Sequence, residues 1–316
     1  MEYREFLQAV KEEVEKQVPG NCSVRLDKVL KNNGKMLDAI TVMEADRQMA
    51  PTIYLNDYFK EVVSGRSVKA IAEEIIDIYN DNKERGDDLN AGCLDFVSAE
   101  FQIVYRLINN EMNRERLKDL PHKIIEDMAK VYYVVVKSDE EGTAYYAVTQ
   151  ALLENWKVGI DRIDELANKN TPNLFPEKLR SMNEIMKELI REQFASSFDE
   201  DDNTYADILS QLIEGEKEDR AEMYVLSNAI NMNGASVLLY PGVLHNFAVE
   251  QKSDIYILPS SIHEAILLPA SGNLSKESLR QMVREVNGTQ VPVEEILSNE
   301  VYYYDLALDE FHIAED

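Results

Sequence analysis

The chain has 316 residues, 45% of them hydrophobic, and carries 33 basic against 59 acidic side chains for a formal charge of −26. Such a composition supplies a substantial buried core for one large domain or two ordinary ones, and its charge repels a phosphate backbone or an anionic membrane on average, so no nucleic acid and no membrane is expected as a partner. No apolar run nears the roughly 20 residues that cross a bilayer.

The opening MEYREFLQAVKEEVEK is amphipathic and charged, unlike a secretory leader, which points to the cytoplasm. Cys22 and Cys93 are the only cysteines. In that compartment, with no CxxC pair, they read as reduced packing residues. Tyr3, Phe6, Leu7, Val10, Val14 and Val18 recur at helical spacing, and Pro19-Gly20 stops the helix. SVRLDKVL and KMLDAITVM flank Asn32-Asn33-Gly34, and Asn-Gly supplies the positive φ angles of a tight hairpin. PTIYLNDYF reads as a further strand, because its Thr, Ile, Tyr and Leu suit a pleated, half-buried surface. A helix capped by Ser67 follows, with Ile71, Ala72, Ile75, Ile76 and Tyr79 inward. NDNKERGDDLN is the best linker, dividing a region 1–90 from a region 91–316, or else lying within one continuous module.

Leu94 to Lys130 is read as helical with a break near Pro121, and VYYVVV with Ala144–Thr149 as a strand pair around SDEEG. Leu152, Leu153 and Trp156 mark a helix, and Asp161 with Asp164 a capping box for the next, which Thr171-Pro172 ends. Glu177 to Gly215 is read as helical around the acidic run FDEDDN. The most ordered stretch is Met223 to Ala270, where the apolar runs MYVLS, ASVLLY, DIYIL and EAILL are read as four strands of a central sheet, with one helix between them. Ser275 caps a helix through Leu279, Met282, Val283 and Val286 that Gly288 ends, and the tail VYYYDLALDEFHIAED opens with a strand. Meander-like strands mixed with helices predict an α+β fold with a mixed, largely antiparallel sheet built from strand-pair and helix units.

The phrases YRLINNEMNRERLKDLPHKIIEDMAKVYYVV, ELANKNTPNLFP, MYVLSNAINMNGASVLLYPGVL and IYILPSSIHEAILLP, with the opening hairpin and PTIYLNDYF, resemble an uncharacterised bacterial family common in anaerobic gut bacteria. The resemblance covers nearly the whole chain. It implies a single cytosolic module and brings no assigned activity and no catalytic residue.

Chemistry therefore rests on the residues themselves. Pro259-Ser260-Ser261-Ile262-His263-Glu264 gathers two hydroxyls, an imidazole and a carboxylate, the inventory of nucleophilic catalysis. No GxSxG elbow accompanies it, and a serine two or three residues from its base is seldom placed to be activated, so a hydrogen-bonded turn between buried strands is the preferred reading. His263-Glu264 lacks the second histidine of HExxH, because Leu267 stands there. Asp199, Asp201 and Asn203 open like a calcium loop, but Thr204 and Ser210 replace its Gly and Glu. No phosphate-cradling glycine motif occurs. Arg114, Arg116, Lys118 and Lys123 are interleaved with acids, as on a solvated helical face. The expectation is a non-catalytic cytosolic module binding a protein partner or a small ligand, without cofactor or metal. The alternative is a hydrolase-like enzyme using Ser260, Ser261, His263 and Glu264.

Overall fold

The computed structural model describes residues 1–45, 50–83, 95–139, 142–194, 222–259, 261–270 and 275–315. Cys93, Ser260, the FDEDDN run and the calcium-loop positions lie outside them. The chain forms two compact units, one of residues 1–102 and 134–146, the other of residues 103–133 and 147–316.

In the first unit, α1 (Tyr3–Glu15) opens with a capping box between Glu2 and Glu5 and buries Phe6, Val10 and Val14. The hairpin forms as its turn chemistry demands: β1 (Cys22–Leu30) and β2 (Met36–Glu44) pair antiparallel with Leu30 opposite Met36. Its turn holds Asn33 at φ 55° and Gly34 at φ 73°. β3 (Thr52–Tyr54) completes a three-stranded sheet. NDYF departs from the strand reading and begins α2 (Asn56–Val63). Asn56 Oδ1 there accepts from Asp38 N on β2, at 3.0 Å, so side-chain bonding ends the strand. Ser67 caps α3 (Val68–Lys83) by accepting from Ala70 N at 3.2 Å. Ile71, Ala72, Ile75 and Tyr79 then join the α1 stripe and Val24, Ile40, Val42, Ile53 and Leu55 in one core. A short helix α4 (Phe96–Ala99), capped by Asp95, also belongs here.

The expected helical stretch from Leu94 to Lys130 is corrected over most of its length, only Phe96–Ala99 and Arg114–Leu117 being helical among its described residues. Ile103–Asn109 is a strand, β4, with all but one of its side chains buried. An apolar run without alternation fits a buried helix and a buried strand equally, and periodicity alone does not separate them. A single turn, α5 (Arg114–Leu117), leads to β5 (His122–Ile125) and β6 (Met128–Asp139), with β5 and β6 antiparallel and β4 on the other side of β6. β6 pairs in turn with β7 (Gly142–Ala147), as the sequence indicated.

The second unit continues with α6 (Gln150–Trp156) and α7 (Ile160–Leu174). Gly159, not Asp161, is the N-cap of α7, and Pro172 lies inside its last turn instead of ending it. Asp164 is drawn away from capping by Lys130, whose Nζ lies 2.6 Å from its carboxylate and donates to Asn168 Oδ1 at 2.5 Å. The same ammonium sits 4.2 Å above the Tyr105 ring. Tyr132 and Lys123 donate to the Asp164 carboxylate at 3.0 and 2.9 Å. Lower on α7, Thr171 Oγ1 accepts from Tyr105 N at 3.0 Å and Asn170 donates to Ile103 O at 3.1 Å. Side chains of α7 thus satisfy the edge of β4, which has no strand beyond it among the described residues.

Glu177–Ser181 is a strand, β8, where a helix was expected; its pairing with β9 (Tyr224–Asn228), Leu179 opposite Leu226, overrides a polar sequence of indifferent propensity. α8 (Met182–Phe194) follows it. Within the central stretch three of the four expected strands form: β9, β10 (Ile255–Leu258) and β11 (Ala265–Pro269). ASVLLY instead lies largely in a 3-10 helix, Gly234–Leu239, buried through Leu238 and tightened by a hydrogen bond from Ser236 Oγ to Asn233 O. α9 (Val243–Gln251) is the expected helix. α10 (Lys276–Thr289) is capped by Ser275 but runs through Gly288, which does not take a left-handed conformation. The tail pairs β12 (Tyr302–Asp305) with β13 (Glu310–Ile313). The result is a six-stranded antiparallel sheet in the order β13-β12-β10-β11-β9-β8, and the α+β class holds.

Two stability tests follow from this bonding. Gly34→Val is expected to cost more than about 1 kcal/mol, because a β-branched residue tolerates positive φ poorly; an unchanged denaturation midpoint contradicts it. Asp164→Ala leaves a buried ammonium without its counter-charge and is expected to cost about 3–5 kcal/mol, whereas Lys130→Met with Asp164→Leu together costs much less. Burial is the larger influence on Lys130 and lowers its pKa in spite of Asp164. At Asp164 burial pushes upward, but hydrogen bonds from Lys130 and Lys123 outweigh it and hold the carboxyl low. A depressed carboxyl contributes stability that is full above its unfolded value of about 3.9 and declines as pH falls through the folded one. Acid titration of the wild type against the double variant reads this difference, and parallel curves refute it.

Candidate functional site

The turn from Pro259 to Glu264 joins β10 to β11, which pair with Leu258 opposite Ile266. Backbone bonds tie it to two other segments. Ile262 N donates to Glu295 O at 2.8 Å, Ser298 N to Pro259 O at 3.3 Å, and Ala235 N to Ile262 O at 3.2 Å. Ser261 forms an isolated bridge with Ile296.

Side chains complete the arrangement. Ser261 Oγ accepts from His263 N at 3.0 Å, and Ser227 Oγ on β9 donates to His263 O at 2.8 Å. Asn233, left-handed at φ 52°, donates its backbone N–H to His263 Nδ1 at 3.2 Å. Because a backbone N–H can only donate, Nδ1 carries no hydrogen and the neutral ring bears its proton on Nε2. Nε2 lies 3.6 Å from Glu295 Oε1, beyond an ordinary hydrogen bond. Asn228 closes the neighbouring loop, donating to Met232 O at 2.8 Å and accepting from Met232 N at 3.3 Å. Gly234 is wedged into this corner: a Cβ there would lie 2.1 Å from Ser227 Oγ, 2.5 Å from His263 O and 2.7 Å from Asn228 N.

Nucleophilic catalysis needs a hydroxyl presented to a lone pair on the imidazole. Here the ring's lone pair faces the Asn233 amide. Among the described residues no serine hydroxyl is bonded to either ring nitrogen, and Glu264 is exposed. Glu295, Asn233 and Ser227 surround His263 although the sequence reading did not include them. Their only signal was the Asn231-Met232-Asn233-Gly234 string, a marker of positive φ. Leu267, where a zinc motif needs histidine, is fully buried on β11. No group of three or more His, Cys, Asp or Glu side chains among the described residues converges to hold a metal ion.

The other histidines are engaged separately. His245 Nδ1 lies 3.3 Å from Tyr304 OH and 3.6 Å from Asp309, and His312 packs beside the Tyr303 ring. His122 Nδ1 is 2.8 Å from Leu120 O, which fixes the hydrogen on Nδ1 and leaves Nε2 as an acceptor in the neutral ring. His122 also borders a shallow pocket of about 460 Å³ that the sequence did not announce. α6 ends at Lys157 in a left-handed conformation, φ 58°, and the chain turns back through Val158 and Gly159 into α7. Pro121, Leu153, Val158 and Ile160 supply the apolar surface of the pocket; His122, Gln150, Glu154 and Lys157 supply its polar groups. Arg114 and Lys118, in the basic cluster, pair with Glu111 and Glu115, and Arg116 donates to Tyr133 OH at 2.6 Å.

Replacing His263 with Ala removes one acceptor from a half-buried amide and is expected to cost about 1 kcal/mol. Gly234→Ala, which forces a methyl group into backbone atoms, is expected to cost about 3 kcal/mol or more. Paired thermal melts check the order, and a Gly234→Ala protein as stable as wild type contradicts the packing.

Residues 3–306 match the family of unknown function DUF5688, and the chain belongs to that family. No curated protein and no solved structure matches it.

Proposed function

We propose that this DUF5688 chain is a non-catalytic cytosolic module that binds a small ligand through the pocket between the start of β5 and the α6–α7 corner. The observation that carries the reading is the pocket itself. Its volume of about 460 Å³ falls within the range of small-molecule sites, and it combines an apolar surface with a few polar groups. The Pro259–Glu264 turn supports the non-catalytic half, because the described hydroxyls and the imidazole lone pair there are engaged with backbone groups. A negative charge of −26 supports a partner other than nucleic acid. No helix among the described residues is long and apolar enough to cross a membrane.

The test is a thermal-shift screen of a metabolite library on wild type and on Val158→Arg, which fills the pocket from its rim. A true ligand at about 100 times its Kd stabilises the fold by about 2.7 kcal/mol. Hits that shift the wild type and leave Val158→Arg unmoved are expected. A hydrolytic activity in the wild type that disappears in a stably folded His263→Ala protein overturns the proposal in favour of a hydrolase.

A further inference from the structure

The polar groups around this pocket are of both signs. Glu154 lies in α6 and Lys157 is the residue that terminates it, with Lys157 N bonded to Glu154 O at 3.3 Å. Both side chains are exposed, and neither has an ion-pair partner among the described residues. Oppositely charged residues three apart usually pair with each other, as Lys118 does with Glu115 at 2.6 Å and Arg162 with Glu165 at 2.9 Å. At the α6 corner the left-handed Lys157 breaks the helical geometry that brings such pairs together, and each charge remains available.

We propose that the pocket takes a small zwitterion, an α-amino acid with an apolar side chain, its carboxylate on Lys157 and its ammonium on Glu154. This deepens the small-ligand reading above and rests on it. A simple anion meets one cation against the repulsion of a chain carrying −26, and a simple cation meets Lys157 on the same rim. A zwitterion has no net charge to be repelled and satisfies both groups at once. Its ammonium has three N–H donors, and the residues lining the pocket include three that carry an acceptor: Glu154 with its carboxylate, Gln150 with its amide oxygen and His122 with the lone pair on Nε2. The side chain of the ligand is then placed against Leu153, Val158 and Ile160.

The experiment titrates the isotope-labelled full chain with L-leucine, 4-methylpentanoate and 3-methylbutylamine while following the Val158, Gly159 and Ile160 amides by NMR. Leucine is expected to shift these amides along a saturable curve. Each single-charge analogue, and leucine on Glu154→Gln or Lys157→Gln, is expected to bind about tenfold more weakly or worse. If 4-methylpentanoate or 3-methylbutylamine binds as tightly as leucine, or if either substitution leaves leucine affinity unchanged, the zwitterion assignment fails while the pocket remains a small-ligand site. If leucine moves none of the three amides at any soluble concentration, the assignment also fails, and the library screen alone then decides the broader reading.

Discussion

A buried ammonium group dictates much of the second unit's order. Lys130 is 5% exposed, so its charge is tolerated only where every N–H finds an acceptor. The Asp164 carboxylate, the Asn168 amide oxygen and the face of Tyr105 provide them. Since Lys130 belongs to β6, Tyr105 to β4 and both acceptor side chains to α7, satisfying one charge fixes the rotation and register of a helix against two strands. A helix shifted by one residue would carry Asp164 away from the ammonium and also break the Thr171 and Asn170 bonds to the edge of β4. Tyr240 OH then holds the C-terminal end of the same helix, donating to Phe175 O at 2.8 Å. Buried tyrosines recur in this role. Tyr105 OH reaches Ser236 O at 3.3 Å, and Tyr302 OH binds Asp127, whose other oxygen accepts from Ser298 at 2.7 Å.

The Pro259–Glu264 turn follows the same logic on a smaller scale. Its polar side chains lie beside irregular backbone, where regular strand or helix bonds are missing, and irregular backbone must find partners when it is partly buried. His263 supplies one to Asn233, Ser227 one to His263 and Ser261 one to the turn's own amide. Of the cluster that resembles a catalytic inventory in one dimension, Ser261 and His263 are thereby engaged in backbone bonding. By contrast the α6–α7 corner presents two charges, Glu154 and Lys157, that have no ion-pair partner among the described residues. An apolar depression beside such charges is a better place to look for a ligand than a turn whose Ser261 and His263 already bond backbone groups.

Much of the fold was legible because short-range chemistry governed it. Asn33-Gly34 set the hairpin through positive φ, Ser67 and Ser275 capped their helices, and the stripes of α1 and α3 announced the core they share. Several misreadings share a cause. Ile103–Asn109 and Glu177–Ser181 are short segments whose local preferences are balanced, so that strand partners distant in sequence chose for them, whereas ASVLLY, equally short, is buried as a 3-10 helix. Asp164 carried a plausible capping signature and was claimed by a lysine 34 positions earlier, whose only hint was its place in an otherwise apolar strand, AKVYYVVV.

The sequence by itself determined the α+β class, the Asn33-Gly34 turn, the Ser67 and Ser275 caps, and the excess of acid that disfavours a polyanionic partner, because each depends on neighbouring residues or on totals. Tertiary structure alone decided which nitrogen of His263 holds the proton, that Glu295 stands beside it, and that Glu154, Lys157 and His122 border one pocket. Those facts join residues tens of positions apart, and no periodicity or spacing encodes a contact made only after the chain has closed on itself.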